Sequence, residues 1–223
     1  MDKKQKKISV LIPALNEEKN IANVINCIKK IDIVDEIIVI DNNSTDKTSE
    51  IAKNLGVKTI LCEQRGKGYA MEFGIRCASN ECIVFLDGDI CNYCEDVIIR
   101  LVEPILYRNY DFVKSDFSRE GGRVTELVAK PLLQLLFPEL IIYEQPLSGI
   151  IAGKKDFFES LTFEKDYGID IGILIDAFLS KAKMTQVYIG EIQNDYQDWK
   201  DLINMSRQVS RAILKRQGCF ELE

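Results

Sequence analysis

Four short runs of apolar and β-branched residues recur in the first half of the chain: ISVLIPA, DEIIVIDN, VKTILCE and CIVFLDGD. Each is rich in Ile and Val and closes on polar or glycine-containing residues, the pattern of buried parallel strands. Between them, NEEKNIANVINCIKKI, STDKTSEIAKNLG and GKGYAMEFGIRCAS carry apolar residues three and four apart, which predicts helices with one face on a core. STDKTSE brings Ser, Thr and acidic side chains to a helix start, and NLG ends the same helix on glycine. Strand alternating with helix predicts an α/β domain with a mostly parallel sheet over about residues 8–115. Neither an internal repeat nor a low-complexity linker is evident.

Composition narrows this picture. With 223 residues, 46% hydrophobic and 29% charged, the chain has enough apolar material for one sizeable core, so one domain or two intimately packed halves is expected. No stretch approaches the roughly 18 to 20 apolar residues of a membrane span. The opening MDKKQKK, read as a solvated tail, runs into strand-like ISVLIPAL rather than a signal-peptide core, which predicts a cytoplasmic protein. A net charge of −6 argues against nucleic acid or an anionic membrane as partner. The seven cysteines are odd in number and sit mostly in apolar segments, as reduced core thiols do. Cys91 and Cys94 form one CxxC, but there is no second pair and no histidine to complete a zinc site, so they read as thiols at a helix start.

The strands end in PALNEE, DNNSTD, EQRGKG and DGD. In sheets of this kind ligands bind beyond the carboxyl ends of the strands, so four polar loops at one edge predict a concave, charged site. Asp87 and Asp89, one residue apart where a buried strand frays, offer hard oxygen ligands suited to Mg²⁺ or Mn²⁺, an ion that commonly holds a pyrophosphate. Lys67, flanked by glycines, suits either a phosphate contact or an ordered active-site loop.

Taken together, IPALNEEKNI, DEIIVIDNNSTDKT, RGKGYAM and VFLDGD resemble the nucleotide-sugar half of a glycosyltransferase with the A-type fold. GGRVTELVAKPLLQLLFPEL, QPLSGIIAG and YGIDIGILIDA extend the resemblance to the glucosyl-3-phosphoglycerate synthases and their mannosyl relatives, from about residue 8 to about residue 216. The resemblance implies one glycosyltransferase domain with a Rossmann-like sheet, a nucleotide-sugar half at about 8–115 and an acceptor half at about 116–223. It implies that Pro13, Ala14 and Glu17 hold the uracil and ribose, with Ser44 on the uracil and Asp41 beside it. Lys67 falls near the diphosphate. Asp89 is the more direct metal ligand and Asp87 lies nearer the ribose and sugar. Asp170 corresponds to an acidic residue near the sugar, and Gly122, Arg123 and Thr125 to the acceptor-phosphate site. The last assignment also has a physical basis: GGR at the mouth of a helix joins a turn, an arginine and free N–H groups that attract an anion. The alternative makes Thr125 an N-cap and Arg123 a solvent-facing charge.

The chain departs from the family pattern at one ligand. Relatives carry a histidine after the last strand as a third metal ligand, whereas this chain has no histidine. Reading onward from QVYIG, that place falls at Asn194, with Asp195 beside it. An amide or carboxylate oxygen there, or water, shifts the site toward a harder ion such as Mg²⁺. The expected reaction is retaining transfer of glucose from UDP-glucose to 3-phosphoglycerate, with GDP-mannose as the other donor that the same chemistry allows. Two alternatives remain: a family 2 transferase acting on polyprenyl phosphate, and a nucleotide-sugar-binding protein that lost catalysis with the histidine. The apolar PLLQLLFPELII reads as a core or dimer helix, and a homodimer is expected.

Overall fold

The computed structural model describes residues 7–90, 92–93, 96–119, 122–193 and 198–218. Strand and helix alternate through β1 (Ile8–Ala14), α1 (Ile21–Ile28), β2 (Val34–Asp41), α2 (Thr48–Asn54), β3 (Lys58–Leu61), α3 (Lys67–Cys77) and β4 (Cys82–Phe85). There follow α4 (Val97–Arg108), β5 (Phe112–Ser118) and a π-helical turn, Thr125–Ala129, that continues into α5 (Lys130–Leu136). The remainder is a short 3-10 helix, Pro138–Ile142, then β6 (Ile151–Lys154), α6 (Lys155–Glu159), α7 (Ile169–Leu179), β7 (Met184–Glu191) and α8 (Trp199–Arg216).

The strands form one sheet in the order β3-β2-β1-β4-β6-β5-β7. All neighbours run parallel except β6, which is antiparallel to both β4 and β5. Side chains alternate between two cores, as a strand buried on both faces requires. Leu11, Ile38, Ile40, Ile83 and Phe85 face one, while Val10, Ile12, Val39 and Val84 face the other. Residues of α3, α7 and α8 close the first core, and those of α1 and α4 close the second. Strand order reverses between β1 and β4, and their carboxyl ends lie side by side there.

Two sequence expectations change. VKTILCE forms the outermost strand rather than a buried one, and Leu61 is 55% exposed, because among the described residues no strand pairs with the far side of β3. The first helix starts at Ile21 rather than within NEEKN. Asn16 adopts φ +60°, and the Glu17 and Glu18 N–H groups donate to Thr48 Oγ1 and Asp46 Oδ2 on the neighbouring loop instead of entering a helix. At the start of α2 the N-cap position is Lys47, which makes no side-chain cap bond, and Asp46 one residue earlier accepts from the Thr48 N–H at 2.9 Å; Gly56, at φ +70°, follows the last turn as read.

Cys62 and Cys77 are free thiols, while Cys91 and Cys94 lie outside the described residues. Among the described residues no helix is long and apolar enough to cross a membrane.

Candidate active site

The loops after β1, β4 and β5, the segment entering β6 and the first turns of α3 and α7 converge on one cavity of about 570 Å³. Because β6 runs backwards, its entry, Leu147 to Ile150, reaches the edge where the parallel strands end. The fold thus brings segments distant along the chain, with Asn42, Ile192 and the α8 residues Met205 and Gln208 among them, to one place beside the strand-order reversal, where open α/β sheets bind ligands.

Lys67, in the first turn of α3, is the electrostatic centre. Its Nζ donates to Asp87 Oδ1 at 3.0 Å and to Asp170 Oδ2 at 2.9 Å. Burial works against the charge on Lys67, but the Asp170 and Asp87 carboxylates outweigh it and raise the pKa, so the ammonium is permanent at any ordinary pH. Asp170 is 2% exposed. Burial raises its pKa against the opposing pull of Lys67 and Lys114, and its Oδ1 is buried without a hydrogen-bond partner among the described residues. Beneath it, fully buried Lys114 donates to Ser148 O at 2.7 Å and Asp170 O at 3.3 Å, tying the β6 entry to α7. Burial lowers the Lys114 pKa from the ordinary 10.5 to about 8.

Close packing fixes this arrangement. A Cβ on Gly149 would fall 2.3 Å from Asp87 Oδ1 and 2.4 Å from Lys67 Nζ, so only glycine lets the β6 entry pass over the ion pair. Asn42 sets the loop before Lys67: its Oδ1 accepts from Gly66 N at 2.7 Å and its Nδ2 donates to Gln64 O at 2.7 Å. The glycines of RGKG admit the backbone of residues 164–165 rather than an anion, since a Cβ on Gly68 would lie 1.7 Å from Glu164 O. Of the two roles read for this loop, its glycines serve the ordered one.

Pro13, Ala14, Glu17, Lys67, Asp87, Asp89 and Asp170 all line the cavity. Asp41 and Ser44 do not. Asp41 Oδ1 accepts from the Ser44 N–H, and Ser44 Oγ accepts from the Asn16 N–H, so the pair joins the first two loops behind the cavity wall. Gly122, Arg123 and Thr125 also lie outside the lining. Arg123 places its guanidinium carbon 5.0 Å from the Trp199 ring centre, and Thr125 Oγ1 accepts from Arg119 Nη2 at 3.0 Å. Asn194 and Asp195 lie outside the described residues. Arg119, Lys114, Asn42 and Gly149 were not singled out from sequence. The signal for Lys114 was present, a lysine inside the apolar run DFVKSDF, but nothing local reveals its partners.

Among the described residues no group of three or more His, Cys, Asp or Glu side chains is arranged to hold a metal. Asp87 and Asp89 nonetheless flank Gly88 at the cavity floor, and the described lining carries five carboxylates, Glu17, Asp87, Asp89, Asp166 and Asp170, against the cations Arg65, Lys67 and Arg119. That surplus and its oxygen donors fit a hard divalent cation that keeps several ligands from water and phosphate.

A sheet of this order, with a paired-aspartate floor at the point of reversal and a permanent cation beside it, defines a nucleotide-sugar transferase. Residues 9–154 match Glycosyl transferase family 2. The glucosyl-3-phosphoglycerate synthase of Mycobacterium tuberculosis is 38% identical over 95% of this chain and 74% of its own length. Its crystal structure with Mn²⁺, UDP-glucose and phosphoglyceric acid superposes with a TM-score of 0.90 at 39% identity, covering 96% of this chain and 80% of that one. Its structure with Mg²⁺ and UDP gives a TM-score of 0.90 at 40% identity, with the same coverage. The chain belongs to the glucosyl-3-phosphoglycerate synthase family within the family 2 glycosyltransferases.

Proposed function

We propose that this glycosyltransferase transfers glucose from UDP-glucose to the hydroxyl of 3-phosphoglycerate with retention of configuration, forming glucosyl-3-phosphoglycerate. The observation that carries the reading is the Asp87–Lys67–Asp170 constellation on the cavity floor, in a chain whose similarity to the synthases extends through its acceptor half. Asp89, with Asp87 beside it, would hold Mg²⁺ or Mn²⁺, which when bound neutralises the charge developing on the departing diphosphate.

The protein's own groups do the positioning. Lys67 holds Asp87 and Asp170 in place through its two hydrogen bonds and adds a fixed positive charge where the diphosphate leaves. The unpartnered Asp170 Oδ1 accepts from a sugar hydroxyl. With its other oxygen 2.9 Å from an ammonium, Asp170 is a poor nucleophile, which favours front-face attack with a leaving phosphate oxygen as base over a covalent intermediate. Pro13, Ala14 and Glu17 flank the nucleoside, with Asp41 and Ser44 bracing their loop. The resemblance gives the acceptor phosphate to Gly122, Arg123 and Thr125; these residues stand outside the cavity lining, and Thr125 meets it through its bond to Arg119.

The test is release of UDP by purified protein supplied with UDP-glucose, Mg²⁺ and 3-phosphoglycerate, with GDP-mannose as the competing donor and polyprenyl phosphate as the competing acceptor. Turnover with polyprenyl phosphate alone, or none with any acceptor, overturns the proposal. The thiols of Cys62 and Cys77 support a cytoplasmic place of action. Exposed Leu127, Leu135 and Ile142 along one continuous segment support a homodimer, which light scattering of the wild type and of Leu135→Glu tests.

A further inference from the structure

Arg119 follows β5 directly and lines the cavity, whereas Arg123, the arginine of the GGRVT motif, lies over Trp199 outside it. Three contacts fix Arg119. Its Nη2 donates to Thr125 Oγ1 at 3.0 Å, its guanidinium carbon stands 5.6 Å from the Phe117 ring centre, and it lies against Gly122, where a Cβ would fall 3.1 Å from Nη2. A guanidinium has five donors, more than one hydroxyl can accept. Burial lowers the Arg119 pKa while the nearby Asp87 and Asp89 carboxylates oppose that, and an arginine stays charged throughout.

The lining as a whole shows why a cation is needed there. An acceptor with two negative groups must enter a wall that carries five carboxylates. Of the lining cations among the described residues, Lys67 is engaged by Asp87 and Asp170, and Arg65 is exposed on its loop. Arg119 is partly buried, bonds Thr125 and feels the charge of the paired aspartates. We propose that Arg119 binds an oxyanion of the acceptor inside the cavity and is a specificity-determining residue for a doubly anionic acceptor, a role that rests on the phosphoglycerate reading above. Its planar fork suits either a carboxylate or a phosphate through paired hydrogen bonds.

The experiment is calorimetric titration of 3-phosphoglycerate into the protein saturated with Mg²⁺ and UDP, for the wild type and for Arg119→Ala, Arg119→Gln and Arg119→Lys. Arg119→Ala is expected to weaken 3-phosphoglycerate binding by roughly ten- to hundredfold, the loss of a charge-assisted contact. UDP affinity should stay within about twofold. Arg119→Gln, which can still bond Thr125, should lose as much as Arg119→Ala, and Arg119→Lys should recover part. Because Gln and Lys preserve a polar tether, they decide the matter even if the alanine variant does not fold. Glycerol 3-phosphate and glycerate identify the group: the probe that lacks it binds equally to wild type and variant.

Unchanged 3-phosphoglycerate affinity in all variants, or an equal loss of UDP affinity, overturns the proposal. A wild type that binds 3-phosphoglycerate yet does not glucosylate it refutes the proposed reaction while the variants still decide the role of Arg119. A wild type that binds none overturns both.

Discussion

Single residues set the electrostatics of this site, and two of them give direct tests. If Asp89 carries the metal, Asp89→Asn should abolish metal-dependent turnover while the thermal midpoint barely moves, since relieving one anion of a crowded wall costs the folded state little. Retention of full activity would remove Asp89 from that role. Lys114 makes a pH signature. With its folded pKa near 8 and its unfolded value near 10.5, the unfolded chain binds a proton between those limits that the folded chain has lost, so stability gains with rising pH. The gain should reach about 2 kcal/mol by pH 9.5. Lys114→Met should lack it, and comparing denaturation midpoints of the two proteins at pH 7.5 and 9.5 cancels the titration of other groups. Of the cavity-lining residues, Asp87 and Asp89 were legible at a strand end and Lys67 between its glycines, whereas Pro13, Ala14, Glu17 and Asp170 were named only through the family resemblance. Arg119 and Gly149 were illegible because their meaning lies wholly in partners distant along the chain: Gly149 matters for the Asp87–Lys67 pair that passes beneath it.

At the scale of elements, the first four strands and three helices could be read because each obeys one clear period. The edge position of β3 could not, since periodicity does not tell which strand is last. β6 is four residues long and runs opposite to its neighbours, so nothing in IAGK announces that it separates β4 from β5. Helix α8 shows how remote elements hold the site. Arg216, in its last turn, grips both oxygens of Asp176 on α7 at 2.7 and 2.6 Å and Glu164 at 2.9 Å. Burial alone would raise the Glu164 pKa, but hydrogen bonds from Arg216 and Lys215 hold it below the usual range. The Glu164 carbonyl in turn abuts Gly68 beside Lys67. Arg216→Met leaves two partly buried carboxylates without their main cation and should cost about 3 kcal/mol in denaturant unfolding. A loss below about 0.5 kcal/mol would show that α8 is not anchored through this residue.

For the molecule as a whole, the two halves implied by the family resemblance share one sheet, because β6 lies between β4 and β5 and β7 completes the far edge. A fragment of residues 1–118 would leave the β6 side of β4 and β5 unpaired. It should therefore aggregate or unfold without a cooperative transition, and a soluble fragment with a sharp calorimetric peak would show instead that the nucleotide half folds alone. The surplus of carboxylates in the cavity, five against three cations among the described lining residues, has a consequence for how metal and acceptor act on each other. A divalent ion cancels that surplus of two, whereas a nucleotide sugar brings as much negative charge as the ion brings positive. The ion by itself should therefore draw the acceptor in: titration of 3-phosphoglycerate without nucleotide should show tighter binding with Mg²⁺ than without it, and equal affinity would show that the wall's charge does not oppose the acceptor.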